Sequence, residues 1–255
     1  MKRLSRPEIK RVARSILSAL KVLHKDGLVH TDVKLDNVFV NHGSQSNSRF
    51  AEIQLGDLGG VTHEDSDLAK EGTLIGAGIN RSPEATLQLH WGTATDIWSF
   101  GNAHVSVTSD EVVQEFKNGK RAFGICRPGS NDEVDQILSL LYGGDYHLFN
   151  PAIEGLKPDD DDYFFTVLKR MYKFFGPFPS SYSDKPDTMT FINFFNNSGP
   201  SEKPFHLVTT KEIPAADKKF ILKVMKLDPR ERPTVEQLLA DEWFTEESED
   251  TRVPL

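Results

Sequence analysis

The sequence is poor in three features that define whole classes of protein. Cys126 is the only cysteine among 255 residues, so no disulfide can form within the chain, and a cytoplasmic or nuclear location is expected. No run approaches 18 consecutive apolar residues, and the start from Met1 to Pro7 is charged rather than apolar, which excludes a signal peptide or spanning helix there. The net charge of -8 argues against a general nucleic-acid binder, because such binding needs many cations. We therefore expect a soluble protein that binds neither membranes nor nucleic acid.

The apolar content of 38%, with 10% aromatic residues, is enough for one sizeable core. The periodicity of these residues predicts a mainly α fold of the α+β kind, with a small β-element near its start. Ser5 and Glu8 form a capping-box pattern with Pro7 in the first turn, and Gly27 follows the helical pattern. Short strands are predicted at Leu28–Val29, Val38–Val40 and Ala51–Leu55.

Further helices are predicted along the rest of the chain. They cover Ala94–Gly101, Tyr163–Phe175 and Phe220–Leu227, and Thr234 with Gln237 caps a last one. We interpret residues 1–255 as one domain without internal repeats, ending in an acidic, solvated tail at 246–255.

The most informative segment is His30-Thr31-Asp32-Val33-Lys34-Leu35-Asp36-Asn37, which matches the pattern H-x-D-x-K-x-x-N. Four further motifs follow it in a fixed order: Asp57-Leu58-Gly59, Ser82-Pro83-Glu84, the segment Asp96 to Gly101, and Arg232 within Leu227 to Thr234. These segments resemble the catalytic loop, D-F-G, A-P-E, D-x-W-S-x-G and terminal arginine motifs of eukaryotic-type protein kinases. The resemblance spans Leu4 to Phe244 and implies the C-terminal lobe of a kinase domain.

The resemblance implies the chemistry of phosphoryl transfer, which depends on positioning and on cancellation of phosphate charge. Asp32 is expected to orient the substrate hydroxyl and accept its proton, and Lys34 to lie beside the transferring phosphate. Asn37 and Asp57 offer hard oxygen ligands for Mg²⁺ and so help to hold ATP. Lysine two residues after the catalytic aspartate is typical of Ser/Thr kinases. The plainer alternative is that Asp32 caps a turn and Asn37 is an ordinary loop residue, and the order of the motifs favours the kinase interpretation.

Six matched residues are expected to be structural: His30, Leu58, Gly59, Glu84, Asp96 and Arg232. By the resemblance, Glu84 and Arg232 form a buried ion pair, and the Asp96 carboxylate accepts backbone amides of the catalytic loop. His30 and Leu58 are expected to stack in the hydrophobic spine of an active kinase. Trp98 is expected to be a core residue rather than a ligand-binding one.

Two residues depart from the common kinase pattern or invite regulation. Thr31 replaces the arginine that pairs with an activation-loop phosphate in many kinases, so that form of control has lost its counter-charge. The H-T-D sequence also occurs in kinases that resemble the SR-protein kinase group. Thr73 lies between Asp57 and Glu84 and is a candidate for phosphorylation, but without the arginine we interpret it as an ordinary exposed threonine.

Two larger departures concern whole segments. Only 29 residues precede His30 and no G-x-G-x-x-G occurs, so we expect the N-terminal lobe, which grips ATP in the family, to be missing from this chain. The polar stretch at about 102–136 separates the D-x-W-S-x-G helix from its apolar continuation at Ile137, and we interpret it as an insertion.

Two functions remain open at this point. One is a Ser/Thr kinase, truncated or incomplete as given, which transfers phosphate from ATP with Mg²⁺ to a protein substrate. The other is a catalytically silent kinase-like module that binds partners. The sequence indicates neither the substrate nor the oligomeric state.

Overall fold

The structure is a computed structural model that describes residues 4–42, 50–102, 121–122, 148–184, 186–197, 204–210 and 213–246. Most of the insertion predicted at about 102–136, its continuation at Ile137, and the acidic tail beyond Glu246 lie outside these residues.

The predicted mainly helical architecture with a small β-element is confirmed. The helices are α1 (Arg6–His24), α2 (Asp67–Glu71), α3 (Pro83–Thr86), α4 (Ala94–Gly101), α5 (Tyr163–Phe175), α6 (Pro186–Asn197), α7 (Ala215–Val224) and α8 (Val235–Leu239). The strands are β1 (Leu28–Val29), β2 (Val38–His42), β3 (Phe50–Leu55), β4 (Thr62–His63) and β5 (Arg121–Ala122). Strand β1 pairs antiparallel with β4, and β2 lies between β3 and β5 in a second antiparallel sheet. Within the described ranges, no helix is both long and apolar enough to span a bilayer.

Helix α1 is the longest helix described, and it packs against α4, α8 and β3. It begins with the predicted capping box, in which the Ser5 amide donates to Glu8 Oε2 at 2.6 Å. The apolar residues of its inner face are completely buried: Ile9, Val12, Ala13, Ile16, Leu17 and Leu20. The helix ends at His24, and Gly27 then turns the chain with a φ of 66°, a left-handed conformation that glycine adopts without strain.

The hairpin of β2 and β3 connects Asn37 to Gly56 and Asp57 and holds them close together. Its register runs from Val38 opposite Leu55 to Asn41 opposite Glu52. At its open end the Gly56 amide donates to the Asn37 carbonyl at 2.8 Å. The hairpin therefore holds the end of the H-x-D-x-K-x-x-N segment beside the residue that precedes Asp57.

Helix α4 lies in the centre of the aromatic core. Every residue from Thr95 to Gly101 is buried, and the Trp98 ring stacks on Phe149 with centroids 5.7 Å apart. The expectation that Trp98 is a core residue is confirmed, because its exposed fraction is zero. This packing gives the motif residues on α4 a rigid support.

One predicted helix boundary is wrong, and three helices, α2, α3 and α6, were not predicted. The helix expected at Phe220–Leu227 instead runs from Ala215 to Val224. The helix ends because Met225 leaves the helical conformation, with φ -87° and ψ 47°, and Arg232 donates to the Lys226 and Leu227 carbonyls beyond it. Phe191, Phe194 and Phe195 of α6 are spaced as on one helical face, a signal that the sequence interpretation did not use.

Candidate active site

The loop that follows β1 is fixed by one buried carboxylate on α4. Asp96 accepts hydrogen bonds from the His30 amide at 2.8 Å and the Thr31 amide at 3.0 Å, each through a different oxygen. His24, the last residue of α1, places its Nε2 2.9 Å from Asp96 Oδ2. Since charged acceptors make the stronger hydrogen bonds, Asp96 anchors the loop to both α4 and α1. The sequence predicted the two amides but not His24.

Asp32, Lys34 and Asn37 meet in one cluster beyond this anchor. Lys34 Nζ lies 3.0 Å from Asp32 Oδ2. Asn37 Nδ2 donates to the same Oδ2 at 3.1 Å and to the Asp32 carbonyl at 2.7 Å. The other carboxylate oxygen, Asp32 Oδ1, is buried and accepts no hydrogen bond from the described residues. One oxygen of Asp32 is therefore fixed by hydrogen bonds, and the other is buried without a partner among the described residues.

The backbone between His30 and Asp32 is held in an unusual shape. Thr31 has a φ of 71°, which is a strained value for a β-branched residue. Its hydroxyl donates to the Gly60 carbonyl at 3.0 Å. A Cβ on Gly76 would lie 2.6 Å from the Thr31 carbonyl oxygen, so only glycine allows this close approach. Strain of this kind persists when the surroundings enforce it, and it is frequent at functional sites.

Asp57 lies at the surface. Along the chain, the β2–β3 hairpin connects it to the cluster of Asp32, Lys34 and Asn37. Asp57 has a left-handed φ of 58° and begins the 3-10 turn Leu58–Gly60. His30 Nε2 is 3.0 Å from the Gly56 carbonyl, so the residue before Asp57 is tied to the loop that carries Asp32. Gly59 lies in the same exposed turn.

Leu58, which is expected to stack with His30 in the hydrophobic spine, is exposed in this structure, and the stacking stays a prediction. Its side chain is 57% exposed, whereas His30 is completely buried. The physical reason is the turn itself, since none of its three residues is buried. The D-F-G resemblance predicts the position of a side chain along the sequence, but it does not predict what covers that side chain.

The oxygen atoms present suit a magnesium ion that also binds phosphate. Both hydrogen bonds of the Asn37 amide use its nitrogen, which leaves its oxygen for a cation, and the exposed Asp57 adds a carboxylate. Among the residues described, no three His, Cys, Asp or Glu side chains cluster as a metal site. That agrees with Mg²⁺ chemistry, in which one or two protein ligands are completed by phosphate oxygens and water.

The cleft beside Asp32 is lined by residues that motif reasoning missed. Asn80 is 3% exposed, and neither atom of its side-chain amide has a partner within the part of the chain that the structure describes. Arg81 donates to the carbonyls of Ile75 and Gly76 at 2.6 and 3.0 Å. The only sequence signal for this segment was its position just before Ser82-Pro83-Glu84. The Arg81 bonds hold the segment against the loop that carries Asp32.

Glu84 and Arg232, for which the sequence predicts an ion pair, are bonded through two separate contacts. Arg232 Nη1 lies 2.6 Å from Glu84 Oε1, and Nη2 lies 2.8 Å from Oε2. Arg232 also donates to the Ala94 carbonyl at the start of α4. Burial alone would lower the pKa of Arg232, but the adjacent Glu84 carboxylate raises it above its ordinary value. The pair thus joins α3, α4 and the loop before α8.

Tyr182 completes this buried network, and no sequence motif predicted its role. Its hydroxyl is 3.1 Å from Glu84 Oε2 and 2.6 Å from the Leu227 carbonyl. Burial, and then the negative charge of Glu84, raise the pKa of Tyr182 well above its usual value. The phenol therefore remains a neutral donor to both acceptors.

Comparison with known proteins assigns the family. The protein kinase domain model matches residues 1–137, which is more than half of the chain and contains the cluster, Asp57, Glu84 and Asp96. The chain therefore belongs to the protein kinase domain family.

Individual relatives agree with this assignment. Dual specificity tyrosine-phosphorylation-regulated kinase 2 of Drosophila melanogaster is 26% identical over 92% of this chain and 27% of that protein. Serine/threonine-protein kinase shk1/pak1 of Schizosaccharomyces pombe is 29% identical over 54% of this chain and 20% of that protein. The chain thus spans about a quarter or less of these relatives' length.

A solved structure confirms the fold. The crystal structure of the PF14_0431 kinase domain matches 95% of this chain and 67% of its own chain, with a TM-score of 0.55 and 19% identity. At this identity the likeness establishes a kinase fold and nothing about substrates.

Proposed function

We propose that this chain provides the substrate side of a Ser/Thr protein kinase active site, which transfers the terminal phosphoryl group of ATP to a Ser or Thr hydroxyl of a protein. The relatives include Ser/Thr and dual-specificity kinases. Lys34, two residues after Asp32, supports the Ser/Thr class. Phosphoryl transfer of this kind needs an oriented hydroxyl and compensation of phosphate charge.

The observation that carries the proposal is the difference in hydrogen bonding between the two carboxylate oxygens of Asp32. Oδ2 is held by Lys34 and Asn37, and Oδ1 is buried without a partner among the described residues. A buried acceptor without a donor costs about 1–3 kcal/mol. A substrate hydroxyl that donates to Oδ1 would remove this cost, so the site favours a ligand with a hydroxyl.

The residues would act as follows. Asp32 Oδ1 accepts a hydrogen bond from the hydroxyl and orients its oxygen toward the terminal phosphorus. As the new oxygen–phosphorus bond forms, the bond to the departing ADP oxygen breaks and the hydroxyl proton passes to Asp32. The Lys34 ammonium lies where it can compensate charge on the transferring group. Asn37 and Asp57 would hold Mg²⁺, which neutralises phosphate oxygens when bound.

The experiment compares the chain as given with a fusion in which a Ser/Thr kinase N-terminal lobe precedes Leu4. Both are incubated with labelled ATP, Mg²⁺ and a mixed protein substrate, and the labelled amino acids are identified after hydrolysis. We expect phosphoserine and phosphothreonine from the fusion, because its added lobe supplies nucleotide contacts to the cluster described here.

Two results would contradict the proposal. A folded fusion that binds Mg²⁺-ATP but labels no protein would favour the silent, partner-binding module instead. Labelling confined to tyrosine would overturn the assignment to Ser/Thr.

A further inference from the structure

A groove separate from the candidate active site lies between the first turns of α1 and the segment Phe244–Glu246. We call it the α1 groove. It encloses a cavity of about 520 Å³, and its walls include Arg6, Lys10, Arg14, Phe244 and Glu246. A cavity of this size is large enough to admit several side chains of a peptide.

The α1 groove carries a stripe of positive charge. Arg6, Lys10 and Arg14 are spaced by four residues, so they share one face of α1. Like charges at this spacing destabilise a helix. Asp217 offsets the first of them, since its Oδ1 lies 2.5 Å from Arg6 Nη2.

The other two cations have no such compensation. Lys10 Nζ donates to the Glu246 main-chain carbonyl at 2.6 Å, and the Arg14 guanidinium lies 4.5 Å from the centre of the Phe244 ring. Neither forms an ion pair with a carboxylate in the described ranges. They stand out in a chain whose net charge is -8.

The pKa of Lys10 also reflects the excess of positive charge in the α1 groove. Its pKa is lowered, first by burial and then by the positive charge of Arg6, against smaller raising effects of Asp217 and Glu246. A further carboxylate beside Lys10 would stabilise its charged form. The α1 groove therefore suits an anionic ligand that can also contact the Phe244 ring region.

We propose that the α1 groove binds the acidic segment Glu247–Asp250 of this same chain. Glu246 already forms part of the wall, and the next four residues contain three acids: Glu247, Glu249 and Asp250. Four extended residues reach about 14 Å at most. Lys10 and Arg14 are separated by about 6 Å along the helix axis, so the segment can reach both.

Docking of this segment fastens the end of the domain to α1. The far end of α1 holds His24, whose ring bonds Asp96 and so supports the loop of Asp32. The contact therefore stabilises the helix on which the candidate active site rests.

The test is a double-mutant cycle on the full chain. One change neutralises the acidic segment (Glu247→Gln, Glu249→Gln and Asp250→Asn), and the other neutralises the stripe (Lys10→Gln and Arg14→Gln). At low salt we expect the neutral segment to raise the unfolding equilibrium constant about fivefold in the parent, and to have no effect once the stripe is neutral. The coupling should shrink at 0.5 M salt.

The matched control uses Lys21→Gln and Lys25→Gln, an exposed pair with the same spacing at the other end of α1. This pair should show no coupling to the acidic segment. Equal coupling in both cycles would indicate general charge effects and would overturn the proposal.

A binding measurement with the neutral-segment protein gives a second readout. We expect a synthetic peptide of residues 245–255 to bind this protein more tightly than the parent, in which the site is already occupied, and a peptide with glutamine and asparagine in place of the acids not to bind. Peptide binding without coupling inside the chain would show that the α1 groove serves another molecule, which also contradicts the proposal.

Discussion

At the scale of single residues, the proposed orientation of the substrate rests on Asp32, and the proposed binding of the metal rests on Asn37 and Asp57. Asp32 is surrounded by groups of its own loop, with Lys34 and Asn37 on one carboxylate oxygen. Asp57 lies at the surface beyond Gly56 and takes no part in that cluster. The two aspartates should therefore affect different steps when they are changed.

The first prediction concerns Asp57. In the fusion with an N-terminal lobe, Asp57→Asn should weaken Mg²⁺-ATP binding and lower turnover together, because a neutral amide compensates the metal charge less well. Calorimetry with Mg²⁺-ATP and a steady-state assay measure the two effects. Asp65→Asn, a change of an exposed carboxylate on the same segment, is the control and should leave both unchanged. Unaltered nucleotide binding in Asp57→Asn would remove this residue from the proposed metal site.

At the scale of elements, Arg232 joins three parts of the lobe through Glu84, Ala94 and two carbonyls before α8. Arg232→Ala should destabilise the chain by about 3–5 kcal/mol, because it leaves the Glu84 carboxylate buried without its counter-charge. Urea unfolding measures the effect. Arg230→Ala is the matched control, since that exposed arginine bonds Asp228 and Ser181 at the surface and should cost less than about 1 kcal/mol. Equal midpoints for Arg232→Ala and the parent would contradict the structural role of the pair.

Tyr182 gives the same network a dependence on pH. In the unfolded chain a phenol ionises near pH 10, whereas the folded chain keeps Tyr182 protonated because its pKa is raised. The unfolded state therefore binds fewer protons above pH 10, and stability is lost as the pH rises from there toward the folded pKa. The maximal slope for one group is about 1.4 kcal/mol per pH unit.

Tyr182→Phe should remove this alkaline loss at a modest cost near pH 7. The cost should be about 0.5–1.5 kcal/mol, since Arg232 still donates to both acceptors that the hydroxyl loses. Urea unfolding between pH 8 and 11 measures both effects, and Tyr172→Phe is the control. An alkaline slope in Tyr182→Phe as steep as in the parent would show that Tyr182 does not cause it.

The elements also show what sequence reasoning can and cannot supply. Local signals predicted α1, α4, α5 and the strands β2 and β3, because capping boxes and apolar periodicity lie within one segment. Contacts between distant segments were predicted only where a family motif linked them, as for Glu84 and Arg232. Asn80 was missed because no motif includes it, and His24 and Tyr182 were missed because each bonds partners far away in the sequence. Exposure of Leu58 was missed for the same reason.

At the scale of the whole molecule, the kinase fold brings the H-x-D-x-K-x-x-N loop, the turn at Asp57 and the Glu84–Arg232 pair into one supported unit. Most of the buried apolar residues form one core that includes α1, α4 and α7. The function proposed for this unit depends above all on Asp32, whose Oδ2 is held by Lys34 and Asn37 and whose Oδ1 has no partner among the described residues.

The most direct measurement is therefore single-turnover phosphate transfer by the fusion, with parent and Asp32→Asn compared at saturating Mg²⁺-ATP. We predict that Asp32→Asn lowers the rate about 10²–10⁴-fold while the nucleotide dissociation constant stays within about twofold of the parent. The control is Asp26→Asn, which changes an exposed aspartate that precedes the loop in the sequence. This variant should transfer phosphate at the parent rate. A parent-like rate in Asp32→Asn would contradict the account.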